Sequence, residues 1–142
     1  MRRRVAVFAL IALAASALVA WPARAETVKM RADLAGASEV PANDSAGRGT
    51  ATLEFDTVTR VLTWVVTYNG LKAPATAAHI HGPAAASTNA GVVVPFAGPA
   101  SPIRGRATLT AAQAADLMAG RYYVNIHSSA FPAGEIRGQI RR

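Results

Sequence analysis

From Val28 onward, apolar and polar residues alternate with a period of two through almost every segment of the chain. Ala51, Leu53 and Phe55 alternate with Thr52, Glu54 and Asp56. Leu62, Trp64, Val66 and Tyr68 alternate with Thr63 and Thr67, until Asn69-Gly70 ends the run. Ile80 sits between His79 and His81, and Gly91 to Phe96 is a short apolar stretch. Ala107 and Leu109 alternate with Arg106 and Thr108, and Tyr122, Val124 and Ile126 alternate with Tyr123, Asn125 and His127. Ile136, Gly138 and Ile140 then alternate with Glu135, Arg137, Gln139 and Arg141. With Val28 to Leu34 added, the pattern predicts about eight short strands separated by Gly, Pro and Asn. Such a density of strands indicates an all-β sandwich or barrel. Parity places Trp64, Leu62 and Val66 together in its core.

One segment breaks the period. Thr110-Ala111-Ala112-Gln113 has a hydroxyl at the N-cap and Gln at the third helical position, a capping-box pattern, and Ala-rich residues to Met118 precede a capping Gly120. This predicts one short connecting helix. Gly82 to Ala90 and Ala97 to Pro102 both read as flexible loops, and no internal repeat or domain linker is visible.

The first 25 residues follow another logic. Met1-Arg2-Arg3-Arg4 is a basic start, Val5 to Ala20 is an unbroken apolar and small-residue run, and Ala23-Arg24-Ala25 is an A-x-A site. This order is that of a secretion signal, with cleavage after Ala25 and a mature chain of residues 26–142. The alternative, an uncleaved anchor, needs a run nearer to about 20 apolar residues. The arginines alone do not select an export route. The expected location is exported, periplasmic or secreted, with no membrane span after cleavage.

Charge changes meaning once that segment is set apart. The whole chain carries a net +7, but residues 26–142 hold 11 Lys and Arg against 8 Asp and Glu, a net +3. So small a scattered excess does not argue for nucleic acid. There is no cysteine, which excludes a disulfide scaffold, thiol chemistry and Cys-ligated metals. The domain must rely on its packed core.

The candidate chemistry lies with the three histidines. Residues i and i+2 of a strand share a face, so His79 and His81 project together while Ile80 points inward; Asn125 and His127 likewise lie opposite Val124 and Ile126. If the two strands are neighbours, three imidazoles converge, a plausible ligand set for Cu(II) or Zn(II). The plainer reading is three surface histidines bonded to loop carbonyls. Glu135 and Arg137 also share the outward face and read best as a cross-strand ion pair that fixes register. The alternatives are that they, with Asn125, support a metal-ligating imidazole, or that Arg137 recognises an anion. Glu39, before Pro41 in an early loop, reads as a partner for backbone donors. Catalytic templates are missing: there is no G-x-S-x-G elbow, phosphate loop or dinucleotide fingerprint, and the carboxylates are dispersed.

Four motifs in order give the chain a family resemblance. Leu34 to Pro41 has the form L-x-G-x-x-E-V-P; Ala78-His79-Ile80-His81-Gly82 reads A-H-I-H-G; Gly120 to Ser128 reads G-x-Y-Y-V-N-x-H-S; and Pro132 to Ile140 reads P-x-G-E-I-R-G-Q-I. Together they resemble the CHRD (chordin) domain family over about residues 31–141, nearly the whole chain beyond residue 25. CHRD domains occur in chordin, an extracellular antagonist of bone morphogenetic proteins, and in many bacterial exported proteins. The resemblance implies an immunoglobulin-like Greek-key β-sandwich similar to the copper/zinc superoxide dismutase barrel. In the dismutases an H-x-H strand supplies two copper ligands. His79-Ile80-His81 looks like that pair, and His127 could stand for a later ligand. A fourth copper histidine, a His-rich zinc loop and the dismutase disulfide are all missing here, so superoxide chemistry is not carried over. The expectation is an exported binding module without catalytic residues, holding one copper, or else zinc, at His79, His81 and His127. The rival is a metal-free adhesion or envelope domain with an extracellular protein or glycan partner; a minimal copper enzyme with an open coordination position is a third.

Overall fold

The computed structural model describes residues 26–142, and the expected signal at 1–25 with its cleavage point lies outside the described residues. Eight strands follow in chain order: β1 (Thr27–Ala35), β2 (Arg48–Asp56), β3 (Val61–Asn69), β4 (Ala75–His81), β5 (Val92–Pro95), β6 (Ile103–Thr108), β7 (Tyr123–Ser128) and β8 (Ile136–Gln139). A 3-10 turn (Gly36–Ser38) follows β1, and one helix, α1 (Ala111–Met118), joins β6 to β7. The all-β fold and its short connecting helix are as the sequence predicts.

All pairings are antiparallel, and the strands form a single sheet in the order β5-β4-β7-β8-β1-β2-β3-β6. The chain crosses from β3 to β4, returns to place β6 beside β3, then crosses again to set β7 between β4 and β8. The sheet curls around one core, which draws on every strand: Leu34, Leu53, Phe55, Leu62, Val66, Ile80, Val94, Ile103, Val124, Ile126 and Ile136 are all buried there. Trp64 is buried with Leu62 and Val66, its ring stacked on Phe96 at 4.8 Å between centroids and lying across Gly105. The end strands β5 and β6 do not pair. Between them lies a cavity of about 350 Å³ with Trp64 at its wall. The barrel is therefore nearly, not fully, closed.

The helix ends show why it stops where it does. Thr110 Oγ1 accepts from the Gln113 amide at 3.2 Å, while Gln113 Oε1 accepts from the Thr110 amide at 2.9 Å, which satisfies two otherwise orphaned donors. At the far end Gly120 takes φ +70°, and the Gly120 and Arg121 amides return to the carbonyls of Leu117 and Asp116. This closure favours glycine because a Cβ is disfavoured in the left-handed region.

The side of β4, β7 and β8 facing away from the core departs from expectation. Parity puts Tyr123, Asn125, His127, Glu135 and Arg137 there, yet outward does not mean exposed. Asn125, Glu135 and Arg137 are 2%, 0% and 1% exposed. Two loops cover the face, residues 36–47 and 82–91. The second was expected to be flexible, but it is pinned. Arg137 donates to Thr88 O at 2.8 Å, to Asn89 Oδ1 at 3.0 Å and to Ala85 O at 3.4 Å. Asn89 Nδ2 in turn reaches Val40 O at 2.7 Å and ties the two loops together.

Candidate metal centre

Strand order and register build the site. β4 lies beside β7, with His79 opposite Asn125, His81 opposite Tyr123 and Ala77 opposite His127. The three histidines thereby occupy one patch of the covered face. One ring nitrogen from each lies within 4.8 Å of the others. The ring centroids are 5.0 Å apart for His79 and His127, 5.3 Å for His79 and His81, and 5.7 Å for His81 and His127.

The hydrogen bonds assign each ring its tautomer. His127 Nδ1 lies 2.9 Å from Pro132 O, a carbonyl that can only accept, so this nitrogen carries the hydrogen and Nε2 keeps its lone pair. His81 Nδ1 lies 3.0 Å from Ala90 O, so His81 Nε2 is likewise unprotonated in the neutral ring. That Nε2 is buried without any hydrogen-bond partner. His79 Nδ1 sits 3.2 Å from His127 Nε2 and is the donor of that pair. Burial pushes the imidazoles of His79 and His81 below their usual range, and the neighbouring histidines push the same way. Ala90 O raises His81 somewhat against this, while Arg137 adds to the lowering. The cationic forms of His79 and His81 are thus disfavoured, and the lone pairs of His81 Nε2 and His127 Nε2 lie in one cluster with the Nδ1 hydrogen of His79.

Around them the covered face forms a connected frame. The His81 ring stacks on Tyr123 at 5.1 Å with 6° between planes, and the Arg137 guanidinium sits over the Tyr123 ring at 3.4 Å from its centroid. The Ala90 amide donates to Tyr123 Oη at 3.0 Å, so the residue that fixes His81 is itself held. Asn125 Nδ2 donates to Glu39 Oε1 at 2.6 Å. A Cβ at Gly134 would fall 2.7 Å from both Glu39 Oε1 and Asn125 Oδ1, so this approach needs a glycine there. Burial raises the Glu39 carboxyl to about 7, against the lowering effects of Asn125 and the Arg137 charge.

Two expectations need correction. Glu135 and Arg137 do not form an ion pair. Glu135 Oε1 accepts from Ser45 Oγ and from the Lys72 amide, both at 2.6 Å, while Arg137 turns the other way to the 82–91 loop. Burial raises the Glu135 carboxyl, but the hydroxyls of Ser128 and Ser45 with the Lys72 amide outweigh it and hold it below the usual range. Glu39 satisfies the side chain of Asn125 rather than backbone donors. Its place beside β7 was missed because it lies in a loop, and the only signal for it was its position in the L-x-G-x-x-E-V-P motif. The alternation marks Tyr123 only as a strand residue, whereas its ring supports that of His81.

The architecture and site together define a class: a β-barrel domain whose two long loops fold down over a polar, histidine-bearing face. Within that class the chain belongs to the CHRD domain family, whose model matches residues 30–140. Searches of curated proteins and of solved structures find no match.

Proposed function

We propose that this protein is an exported binding module that holds a transition-metal ion, copper in preference to zinc, through His79, His81 and His127. The observation that carries this reading is His81 Nε2, a buried lone pair with no partner beside two further imidazole nitrogens. An unsatisfied buried acceptor is costly, and an ion would satisfy it. Two nitrogens at 2.0–2.1 Å from one tetrahedral ion lie about 3.3–3.4 Å apart, close to the 3.2 Å between His79 and His127. Nitrogens sharing an ion can be no more than about 4.2 Å apart, so the rings must close in slightly from a spread of up to 4.8 Å. Carbonyls hold the Nδ1 hydrogens of His81 and His127, the outer support that metal-binding imidazoles commonly have. Three imidazole nitrogens suit Cu(II), which heads the divalent series at such sites. His79 would enter through Nδ1 after moving its hydrogen to Nε2, or by turning its ring. The export half of the proposal rests on the residue pattern at 1–25; among the described residues no helix is long and apolar enough to cross a membrane.

Cu(II) titration of the wild type and of His81→Ala, followed by electron paramagnetic resonance, tests the site. Losing a ligand should weaken binding beyond the roughly 10–100-fold typical of losing a supporting residue. The signal should show nitrogen coupling that the variant loses in part. Because His79 and His81 are held below the usual imidazole range, binding should persist to pH values somewhat under about 6.5 and fail at lower pH. Equal affinity in both proteins would sink the proposal and put the metal-free interaction domain first.

A further inference from the structure

The net charge of residues 26–142 is concentrated in one place. On the outside of β1 and β8, a cleft of about 420 Å³ is lined by Arg31, Arg137, Arg141 and Arg142, with Asp33 as the one acid, and none of the three histidines lines it. Those five side chains sum to +3, equal to the net charge of the 11 basic and 8 acidic residues beyond position 25. Over the remainder of that stretch the charges balance.

The arginines are set close by the backbone itself. Arg31 and Arg141 face each other in an antiparallel bridge, with N···O distances of 2.8 and 2.9 Å in the two directions. Like charges directly opposed across strands are destabilising unless something lies between them. Arg31 leans on Asp33 at 2.6 Å, but that pair is largely exposed and compensates little. Arg137, at the cleft floor, is buried and bonded only to carbonyl and amide oxygens; no carboxylate pairs with it among the described residues. Its guanidinium is turned to the 82–91 loop and the Tyr123 ring, so it adds to the positive potential of the cleft from beneath and not by direct contact. The other lining residues are Ser38, Gln139 and Ala86. There is no aromatic or large aliphatic anchor of the kind that dominates protein interfaces, whereas hydroxyl and amide groups beside arginines suit sugars that carry anions.

We propose that this cleft binds carboxylate or sulfate oxyanions carried on an acidic polysaccharide. Arg31 and Arg141 would clamp an oxyanion between them, Arg142 would meet a second along the chain, and Arg137 would supply attraction from below. The cleft needs no metal, so this inference stands or falls separately from the histidine site.

Nuclear magnetic resonance titration of the purified protein in chelator-containing buffer tests it, using a galacturonate hexasaccharide, sodium sulfate and neutral dextran as probes. At about 50 mM salt the hexasaccharide should shift the signals of Arg31, Gln139 and Arg141, and its affinity should fall with a log–log salt slope of about −2 to −3. Arg141→Gln and Arg31→Gln should each weaken it about 3- to 10-fold. The Arg104→Gln/Arg106→Gln double variant, which removes two charges from β6, should bind as the wild type does. Both cleft arginines are on the surface, and unchanged amide spectra in the variants will show that the fold is kept. If sulfate alone binds as tightly as the hexasaccharide, the oxyanion site stands but its ligand is a free anion, which overturns the polysaccharide. Wild-type affinity in the cleft variants, an equal loss in the β6 variant, or no shift with either anion overturns the site altogether.

Discussion

Glu39 is the residue whose ionisation this fold opposes most plainly. Its carboxyl is raised from 4.5 to about 7 by burial, so at pH values between these the folded chain holds a proton that the unfolded chain has released. The stabilisation this gives is complete below about 4.5 and is lost as pH rises through about 7. Glu39→Gln keeps an acceptor for Asn125 but has no charge to bury. It should therefore match the wild type near pH 4.5 and exceed it by roughly 1–3 kcal/mol at pH 8. His79 and His81 act in the opposite direction near and below pH 6.5, because their lowered values make the unfolded chain the better proton binder. Urea melts of both proteins across this range isolate the Glu39 contribution, since the histidine effect is common to them. A wild-type advantage at pH 8 would mean that the carboxylate is compensated by a partner. Parity at single residues correctly placed Ile80, Val124 and Ile126 in the core and the histidines on the other face. It could not foresee Glu39 because loop residues have no period to read.

At the level of elements, strands were legible and their coverings were not. An alternating segment such as Leu62 to Tyr68 declares its own faces, and Trp64→Ala should cost about 3–5 kcal/mol in denaturant melts, because the ring is buried against Phe96 and Gly105. A loss under about 1 kcal/mol would contradict its burial. The 82–91 loop has only small and polar residues, which suggested mobility. What immobilises it is Arg137, far along the chain, and no local pattern announces such a tether. Arg137→Leu should leave Thr88 O, Ala85 O and Asn89 Oδ1 without their donor and free the loop. An elastase-type protease, which cuts after small residues, should then cleave between 84 and 90 at least about tenfold faster than in the wild type, where reclosing protects it. Equal resistance would show that the Asn89–Val40 bond and the other loop contacts suffice.

For the whole molecule, the sequence specified the number and spacing of strands but not which of them meet. β4 lies against β7, a strand more than forty residues further along the chain, and the histidine cluster depends on that one adjacency. The four motifs carried this information indirectly, through the family rather than through any physical pattern. The basic cleft was hidden for the same reason, since Arg31 and Arg141 lie at opposite ends of the described chain. Processing belongs to this scale too. Intact-mass measurement of exported protein should give a chain starting at Glu26, and recovery of residues 1–25 in a membrane fraction would instead indicate an anchored protein.

The unclosed seam between β5 and β6 bears on how the barrel exchanges with its surroundings. A strand with one neighbour opens more readily than one with two, and β5 has only Val92, Val94 and Pro95 in register with β4, with an irregularity at Ile80 and His81. Pro95 at its end cannot donate, which blunts this edge against annealing to another chain. β4, which bears His79 and His81, is thus the last fully paired strand before the opening. Amide hydrogens of β5 should be among the first to exchange with solvent, well before those of β1 and β2. The same short ladder therefore governs both how easily the barrel opens and how firmly two of its three imidazoles are held in place.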